Sequence, residues 1–192
     1  NTTLAESIEE NTIDSDNGDI YSVGSVRNET NPSDIDIFLL KQNRSGYIKW
    51  NITFGGKKQD LGNSIALYDE QLFVTGSTTS FGNGEKDVMW LKVNKSDGNI
   101  LDNQTWGFTN TDESGNAIRM TNAAFSIIVG TCENKSDSTT DMLILMFNIT
   151  GGVLWNSTWG ENGFNDYASD ITIDYGSGDM NQHILYITGG TF

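Results

Sequence analysis

The chain repeats itself about every fifty-two residues, and that period constrains its fold more than any other feature. Three segments end alike: Trp50-Asn51-Ile52-Thr53-Phe54-Gly55, Asp102-Asn103-Gln104-Thr105-Trp106-Gly107 and Trp155-Asn156-Ser157-Thr158-Trp159-Gly160. Their closing glycines are spaced by 52 and then 53 residues. A second motif recurs in step as Asp36-Ile37-Phe38-Leu39-Leu40-Lys41, Asp87-Val88-Met89-Trp90-Leu91-Lys92 and Asp141-Met142-Leu143-Ile144-Leu145-Met146. A third occurs four times, ending in Val23-Gly24, Thr75-Gly76, Val129-Gly130 and Thr188-Gly189. A looser fourth reads Glu6-Ser7-Ile8, Asn63-Ser64-Ile65, Asn116-Ala117-Ile118 and Ser169-Asp170-Ile171.

Each motif is short, rich in β-branched and aromatic residues, and bounded by Gly, Asn, Asp or Ser, which is the pattern of a strand. Turns such as Asp16-Asn17-Gly18-Asp19, Ser96-Asp97-Gly98-Asn99 and Thr150-Gly151-Gly152 fit hairpins between them. One repeat therefore reads as a four-stranded antiparallel meander, strands A to D. A single sheet of this size cannot hide both apolar faces, so the sheets are expected to stack radially as blades. The expected fold is all-β: tandem four-stranded antiparallel blades, β-propeller-like, in one domain over 1–192. Its repeats fall at approximately 1–55, 56–107, 108–160 and a partial 161–192.

The run from Asp87 through Gly107, preceded by Phe73-Val74-Thr75-Gly76-Ser77-Thr78, resembles the bacterial and archaeal β-propeller repeat. The resemblance extends over essentially the whole chain. It implies a propeller-like blade, often in large extracellular proteins, and no single activity. The sequence departs from the pattern at Asp102, where the strand-D Trp is lost, and at Met146, where the strand-C Lys is lost. The third repeat is thus expected to meet different neighbours. The phase also matters: A-B-C-D runs three times, then A and B only. Three and a half repeats do not close a ring unaided. The missing strands are expected either from further chain or from another copy, giving head-to-tail self-association; an open stack that never closes is the third option.

Nine Asn-x-Ser/Thr sequons are present, at Asn1, Asn28, Asn43, Asn51, Asn94, Asn103, Asn134, Asn148 and Asn156, whereas Asn31 is disqualified by Pro32. Their placement follows the repeat. Asn51, Asn103 and Asn156 share a strand-D position; Asn43, Asn94 and Asn148 share the C–D turn; Asn28 and Asn134 each lie four residues beyond a strand-B Gly. Asn and Thr are also good turn residues copied with the repeat. Yet the middle residue changes from Ile52 to Gln104 to Ser157 while the sequon stays. N-linked glycans are therefore the expected covalent groups, and they require solvent-facing positions.

Composition narrows the remaining chemistry. With 26 acidic and 11 basic residues, the net charge of −15 repels phosphate backbones, so nucleic acid is an unexpected partner. No window is apolar over the length of a membrane span, and the chain opens without Met or a signal-like segment. Cys132 is the sole cysteine, expected buried, and His183 the sole histidine, which excludes Cys/His zinc sites. Asp14-Ser15-Asp16-Asn17-Gly18-Asp19 resembles a calcium loop but lacks the full acidic spacing, and a hairpin turn accounts for it better. Asp36, Asp87 and Asp141 are candidates for a carboxylate ring around a cation, or for capping backbone amides at the strand start, the preferred reading. Trp90 and Trp155 read as core with a sugar-stacking alternative. No catalytic constellation stands out.

The expected function is accordingly an extracellular, heavily N-glycosylated structural repeat protein, a subunit of a surface filament, sheath or layer. The alternative is a propeller ectodomain binding a glycan, protein or calcium through its variable B–C loops. A polysaccharide-acting enzyme ranks last, since it needs two acids at non-repeating positions inside a cleft.

Overall fold

A computed structural model describes residues 6–83, 85–161, 163–176 and 183–192. Fourteen strands and no helix occur among them. The first sheet contains β1 (Glu6–Ile13), β2 (Ile20–Arg27), β3 (Ile35–Gln42) and β4 (Ile48–Phe54). The second contains β5 (Asp60–Tyr68), β6 (Gln71–Thr78), β7 (Asp87–Asn94) and β8 (Ile100–Trp106). The third contains β9 (Thr111–Met120), β10 (Ser126–Asn134), β11 (Thr139–Phe147) and β12 (Val153–Trp159). A last pair, β13 (Asp166–Asp174) and β14 (Ile184–Thr191), forms a half-sheet. All neighbours within a sheet are sequential and antiparallel, so each sheet is the expected A-B-C-D meander.

The cores lie between sheets. Tyr21, Val23, Ile37 and Leu39 of the first sheet meet Leu72, Val74, Met89 and Leu91 of the second. The opposite face of the second sheet gives Phe73, Val88 and Trp90 to a core shared with Ile128, Leu143, Leu145 and Phe147 of the third. A third cluster joins Ile127 and Val129 to Ala168 and Ile171 of the half-sheet. Strands sandwiched on both faces lose the alternation of a half-buried strand, which is why β6 and β7 are buried along nearly their whole length. Trp90 is fully buried, stacked on Phe147 with ring centroids 5.8 Å apart, and its Nε1 donates to Ser126 Oγ at 3.0 Å.

The innermost strands, β1, β5, β9 and β13, contact one another in series. Each carries a bulge with one extra residue: Glu9, Asn63, Asn116 and Ser169. The bulge pushes a carbonyl against the neighbouring strand at the strand-B glycine. A Cβ on Gly24, Gly76, Gly130 or Gly189 would overlap the carbonyl oxygen of Ser7, Leu61, Ser114 or Tyr167, so the recurring glycine is a requirement for close approach. Two bulge side chains also tie one sheet to the next. Asn63 Nδ2 donates to Gly115 O at 2.9 Å, and Asn116 Nδ2 to Ala168 O at 2.8 Å.

This register corrects the fourth motif in the first repeat. Ile8 lies opposite Gly24, the position held elsewhere by Gly62, Gly115 and Ala168. The true counterpart of Ile65, Ile118 and Ile171 is Asn11, paired with Ser22 as Ile65 is with Val74. The chemistry of strand A in the first sheet has diverged, and a match on Ser-Ile alone slides it by three residues.

Cations clamp successive sheets. Lys41 Nζ donates to Lys95 O and Lys92 Nζ to Ile149 O, each at 3.0 Å. In both cases a strand-C lysine grips a carbonyl in the C–D turn of the following sheet. Met146 occupies this position in the third sheet, so this clamp is made at two junctions among the described residues.

Truncating Trp90 tests the inter-sheet core. Trp90→Ala is expected to lower unfolding stability by about 3–5 kcal/mol. Trp159→Ala, at a residue 59% exposed, is expected to shift it by no more than about 0.5 kcal/mol in the isolated chain. Urea titrations of both variants make the comparison.

Candidate functional site

The strand-D sequons lie on the outermost strand of each sheet. Asn51, Asn103 and Asn156 stand opposite Leu40, Leu91 and Leu145, and all three are exposed. Alternation produces this placement. In β4, Trp50, Ile52 and Phe54 turn toward the core while Asn51 and Thr53 turn to the other, open side.

The remaining sequons are built differently. Asn148 Oδ1 accepts hydrogen bonds from Thr150 N at 2.9 Å, Thr150 Oγ1 at 2.8 Å and Gly152 N at 2.9 Å. Asn43 Oδ1 accepts from Ser45 N and Tyr47 N, and Asn94 Oδ1 from Ser96 N. Asn28 Oδ1 takes both the amide and the hydroxyl of Thr30, and Asn134 Oδ1 does the same with Ser136. These are Asx turns in which the Asn side chain accepts backbone amides, and at Asn28, Asn134 and Asn148 the hydroxyl two places on donates to the same oxygen. Asn43, Asn94 and Asn148 are half-buried; Asn28 and Asn134 are exposed. The Nδ2 of Asn28 is engaged as well, donating to Asp34 Oδ2 at 3.0 Å. Turn formation explains five sequons and leaves the strand-D row without a local structural reason. Asn1 lies outside the described residues.

The acidic motifs resolve into two groups. In the first hairpin, Asp14 Oδ1 accepts the Asp16 amide, while Asp14 Oδ2 pairs with Lys95 at 3.2 Å. Asp19 pairs with Lys49 at 2.6 Å and Lys41 at 3.2 Å. The Asp16 amide holds the Asp14 carboxyl below its ordinary pKa, aided by Lys95, and Lys49 does so for Asp19, aided by Lys41. The segment is a turn fixed by lysines. The strand-C aspartates form the second group and do not gather in a ring: among the described residues no three His, Cys, Asp or Glu side chains converge as a metal site. Asp87 Oδ2 accepts an amide hydrogen from Asn83 at 2.9 Å. Asp36 and Asp141 instead lie against Gly55 and Gly160, beside acids of the following repeat.

Those partner acids, Asp60, Glu113 and Asp166, went unnoticed in the motif search, although they recur every 53 residues at the start of strand A. Each is buried, and each accepts a backbone amide from the D-to-A connection: Gly56 N at 2.7 Å, Phe108 N at 3.4 Å and Glu161 N at 2.8 Å. Cys132 is buried as expected and donates to Glu113 Oε1 at 3.4 Å. Burial and the neighbouring Glu113 push its thiol up to about 12.

A polar cleft of about 430 Å³ opens where the four inner strands meet, lined in part by Glu10, Asn11, Arg119, Thr172 and Tyr175. Arg119 joins Glu10 of β1 at 3.2 Å to Asp170 of β13 at 2.9 Å. These two acids occupy the same strand-A position in the first and the last repeat, where the middle repeats carry Ser64 and Ala117. Both are already engaged, since Glu10 Oε2 also accepts Ser64 Oγ and the Ile65 amide, and Asp170 Oδ1 also accepts the Ile171 amide. His183 packs edge-on against Tyr175, 5.4 Å between centroids. The fully buried Trp90 cannot stack on a sugar; Trp155, 40% exposed, keeps a face in solvent.

Trp155 belongs to the largest departure from the repeat's own pattern. Trp50, Ile52, Phe54 and Trp106 on the outer strands of the first two sheets are half-covered by the next sheet. In the third sheet every residue of β12 is exposed. Met142, Ile144 and Met146 of β11 continue that apolar face toward β14, whose outer edge pairs with no strand among the described residues and whose Ile184 and Tyr186 are exposed.

Two variants separate the turn sequons from the strand sequons. Asn148→Ala removes an acceptor of three hydrogen bonds and is expected to cost about 1–2 kcal/mol, whereas Asn156→Ala is expected to stay within about 0.5 kcal/mol; denaturation of unglycosylated protein measures both. The Cys132 thiol is expected to resist a thiol reagent at pH 8 in folded protein and to react at once in denaturant.

No protein-family model matches the chain and no curated protein matches it, so its likeness to the β-propeller repeat rests on its own motifs and on the four sheets that they form.

Proposed function

We propose that this chain is a structural unit of an extracellular surface assembly, N-glycosylated along its outer strands and extended by added β-strands. The observation that carries the proposal is the pairing of two exposed features. One is the strand-D row Asn51, Asn103 and Asn156, kept open on the outermost strands and unexplained by any turn. The other is the exposed β12, beside a β14 edge that pairs with no strand among the described residues. Free strand edges with apolar surroundings invite further strands, and a hydrophilic glycan coat on the remaining rim opposes non-specific sticking. A head-to-tail contact at the β14 edge, or additional repeats of the same chain, would bury Trp155 and Trp159 as the second sheet buries Trp50. The net charge of −15 disfavours nucleic acid as the partner.

A second reading has its own support. Trp155 and Trp159 are exposed aromatic faces of the kind that stack on sugar rings or accept a peptide strand, which suits a binding ectodomain.

Glycopeptide mass spectrometry of protein from its native source is expected to find sugar on Asn51, Asn103 and Asn156; three unmodified asparagines would remove the glycan part of the proposal. Electron microscopy of the same material is expected to show fibres or sheets, weakened by Trp159→Ala. Monodisperse monomers with a bare β14 edge would favour the ectodomain.

A further inference from the structure

Each boundary between successive sheets brings together two carboxyl groups from opposite sides of the junction, at least one of them buried. At the first, Asp36 of β3 faces Asp60 of β5 across Gly55. A Cβ on this glycine would overlap Asp36 Oδ1 and lie 2.9 Å from Asp60 Oδ2. At the second, Asp87 of β7 and Glu113 of β9 meet at Gly107, where a Cβ would overlap Asp87 Oδ1 and lie 2.6 Å from Glu113 Oε2. At the third, Asp141 of β11 and Asp166 of β13 meet at Gly160, with Asp166 Oδ2 3.1 Å from the Cβ position. The strand-D glycine is what lets the two carboxyls approach.

The hydrogen bonds in these pairs are lopsided. Glu113 is fully buried; its Oε1 accepts from Thr111 Oγ1, the Phe108 amide and Cys132, while its Oε2 accepts nothing. Asp166, 1% exposed, uses Oδ2 for the Glu161 amide and leaves Oδ1 without a donor. Asp36 Oδ1 is likewise buried and without a donor. Two ionised carboxylates so placed repel each other in a poorly solvated site.

We propose that the first two junction pairs, Asp36–Asp60 and Asp87–Glu113, are proton-binding clamps: each takes one proton from solvent and holds it as a carboxyl–carboxylate hydrogen bond joining one sheet to the next. No bond of the chain is made or broken; the proton supplies the missing donor. A calcium ion is the competing way to neutralise such a pair, but it requires six to eight oxygens, and the described residues offer no convergence of three ligating side chains.

The charged surroundings agree. Asp36 faces Asp34 as well as Asp60, and burial followed by these two charges raises its pKa. Burial, with the Asp87 charge as a lesser contribution, raises that of Glu113. Cys132 adjoins Glu113, and the charge of Asp141 also acts on this thiol. Lys135 is paired with Asp112 at the neighbouring strand start and near Glu133 and Glu85. A carboxyl whose pKa is higher in the folded than in the unfolded chain binds its proton preferentially in the folded state. Its stabilising effect is complete below the unfolded pKa and disappears as pH rises through the folded pKa. The junctions should therefore tighten as pH falls through the raised folded pKa values.

Thermal melts of the whole chain from pH 8 to pH 5 test this. Wild-type protein is expected to gain stability on acidification. Glu113→Gln, which removes the charge facing Asp87 at nearly unchanged side-chain size, is expected to melt about 2–4 °C above wild type at pH 8 and to show a shallower pH slope. Asp36→Asn is expected to do the same at a separate junction, while Glu29→Gln, an exposed acid, leaves the slope as it was and so corrects for general charge repulsion. If both junction variants melt below wild type at pH 8, or keep its full slope, the clamp is refuted. A calcium-dependent rise in wild-type melting at pH 8 that Glu113→Gln abolishes would also refute it, in favour of a cation site. Should the variants fail to fold, the infrared band of a protonated carboxyl in folded wild type, followed from pH 5 to pH 8, decides: persisting above the ordinary carboxyl range, it supports the clamp; titrating away with the exposed acids, it overturns it.

Discussion

Sheet-to-sheet packing is the interaction on which the rest depends. A four-stranded antiparallel sheet has two faces, and these sheets are apolar on both, so none could persist alone in water. Every inter-sheet core is shared: Trp90 of β7 is covered by Phe147 of β11, and Leu39 of β3 by residues of β6 and β7. Stability in such a series is a sum of nearest-neighbour terms. The β13–β14 pair joins the third sheet through Ala168, Ile171 and the partly buried Ile173, Leu185 and Ile187, and through the polar contacts of Asn116 and Arg119.

The polar devices make this packing specific. Oil-like contact would tolerate sliding of one sheet over another, and three sets of polar groups forbid it. Bulge asparagines reach the next inner strand, lysines on strand C reach the next C–D turn, and acids at the start of strand A cap the connection just crossed. Buried polar groups of this kind fix register more than they add net stability. Repetition of the same atoms at successive junctions is why the repeat length holds to within one residue.

Much of this was legible in the residues. Alternation in Trp50-Asn51-Ile52-Thr53-Phe54 predicts which side chains face the core, and the four-motif order predicts fourteen strands in three sheets and a pair. The strand-A equivalence of the first repeat was misread because a bulge adds a residue that no motif marks, and because Asn11 replaces the isoleucine of the other repeats. The acids at Asp60, Glu113 and Asp166 escaped notice for a different reason. Asp and Glu interchange there, and a charged residue at a strand start looks like surface until burial is known. The sequons divided only once hydrogen bonds were visible. Asn148 and Asn156 carry the same three-residue signature, yet one closes a turn and the other stands on an outer strand.

Arg119 sets the repeats apart from a stack of identical parts. It occurs only in the third repeat, where its two guanidinium nitrogens reach Glu10 of the first sheet and Asp170 of the half-sheet. Nearest-neighbour contacts alone would leave the curvature of the arc to small accumulated angles. A side chain that spans from the first unit to the last acts as a chord across that arc and holds its ends to one spacing. The units are therefore not interchangeable along the chain: inserting or deleting one whole repeat would preserve every neighbour contact and still break the chord, changing the bend of the molecule.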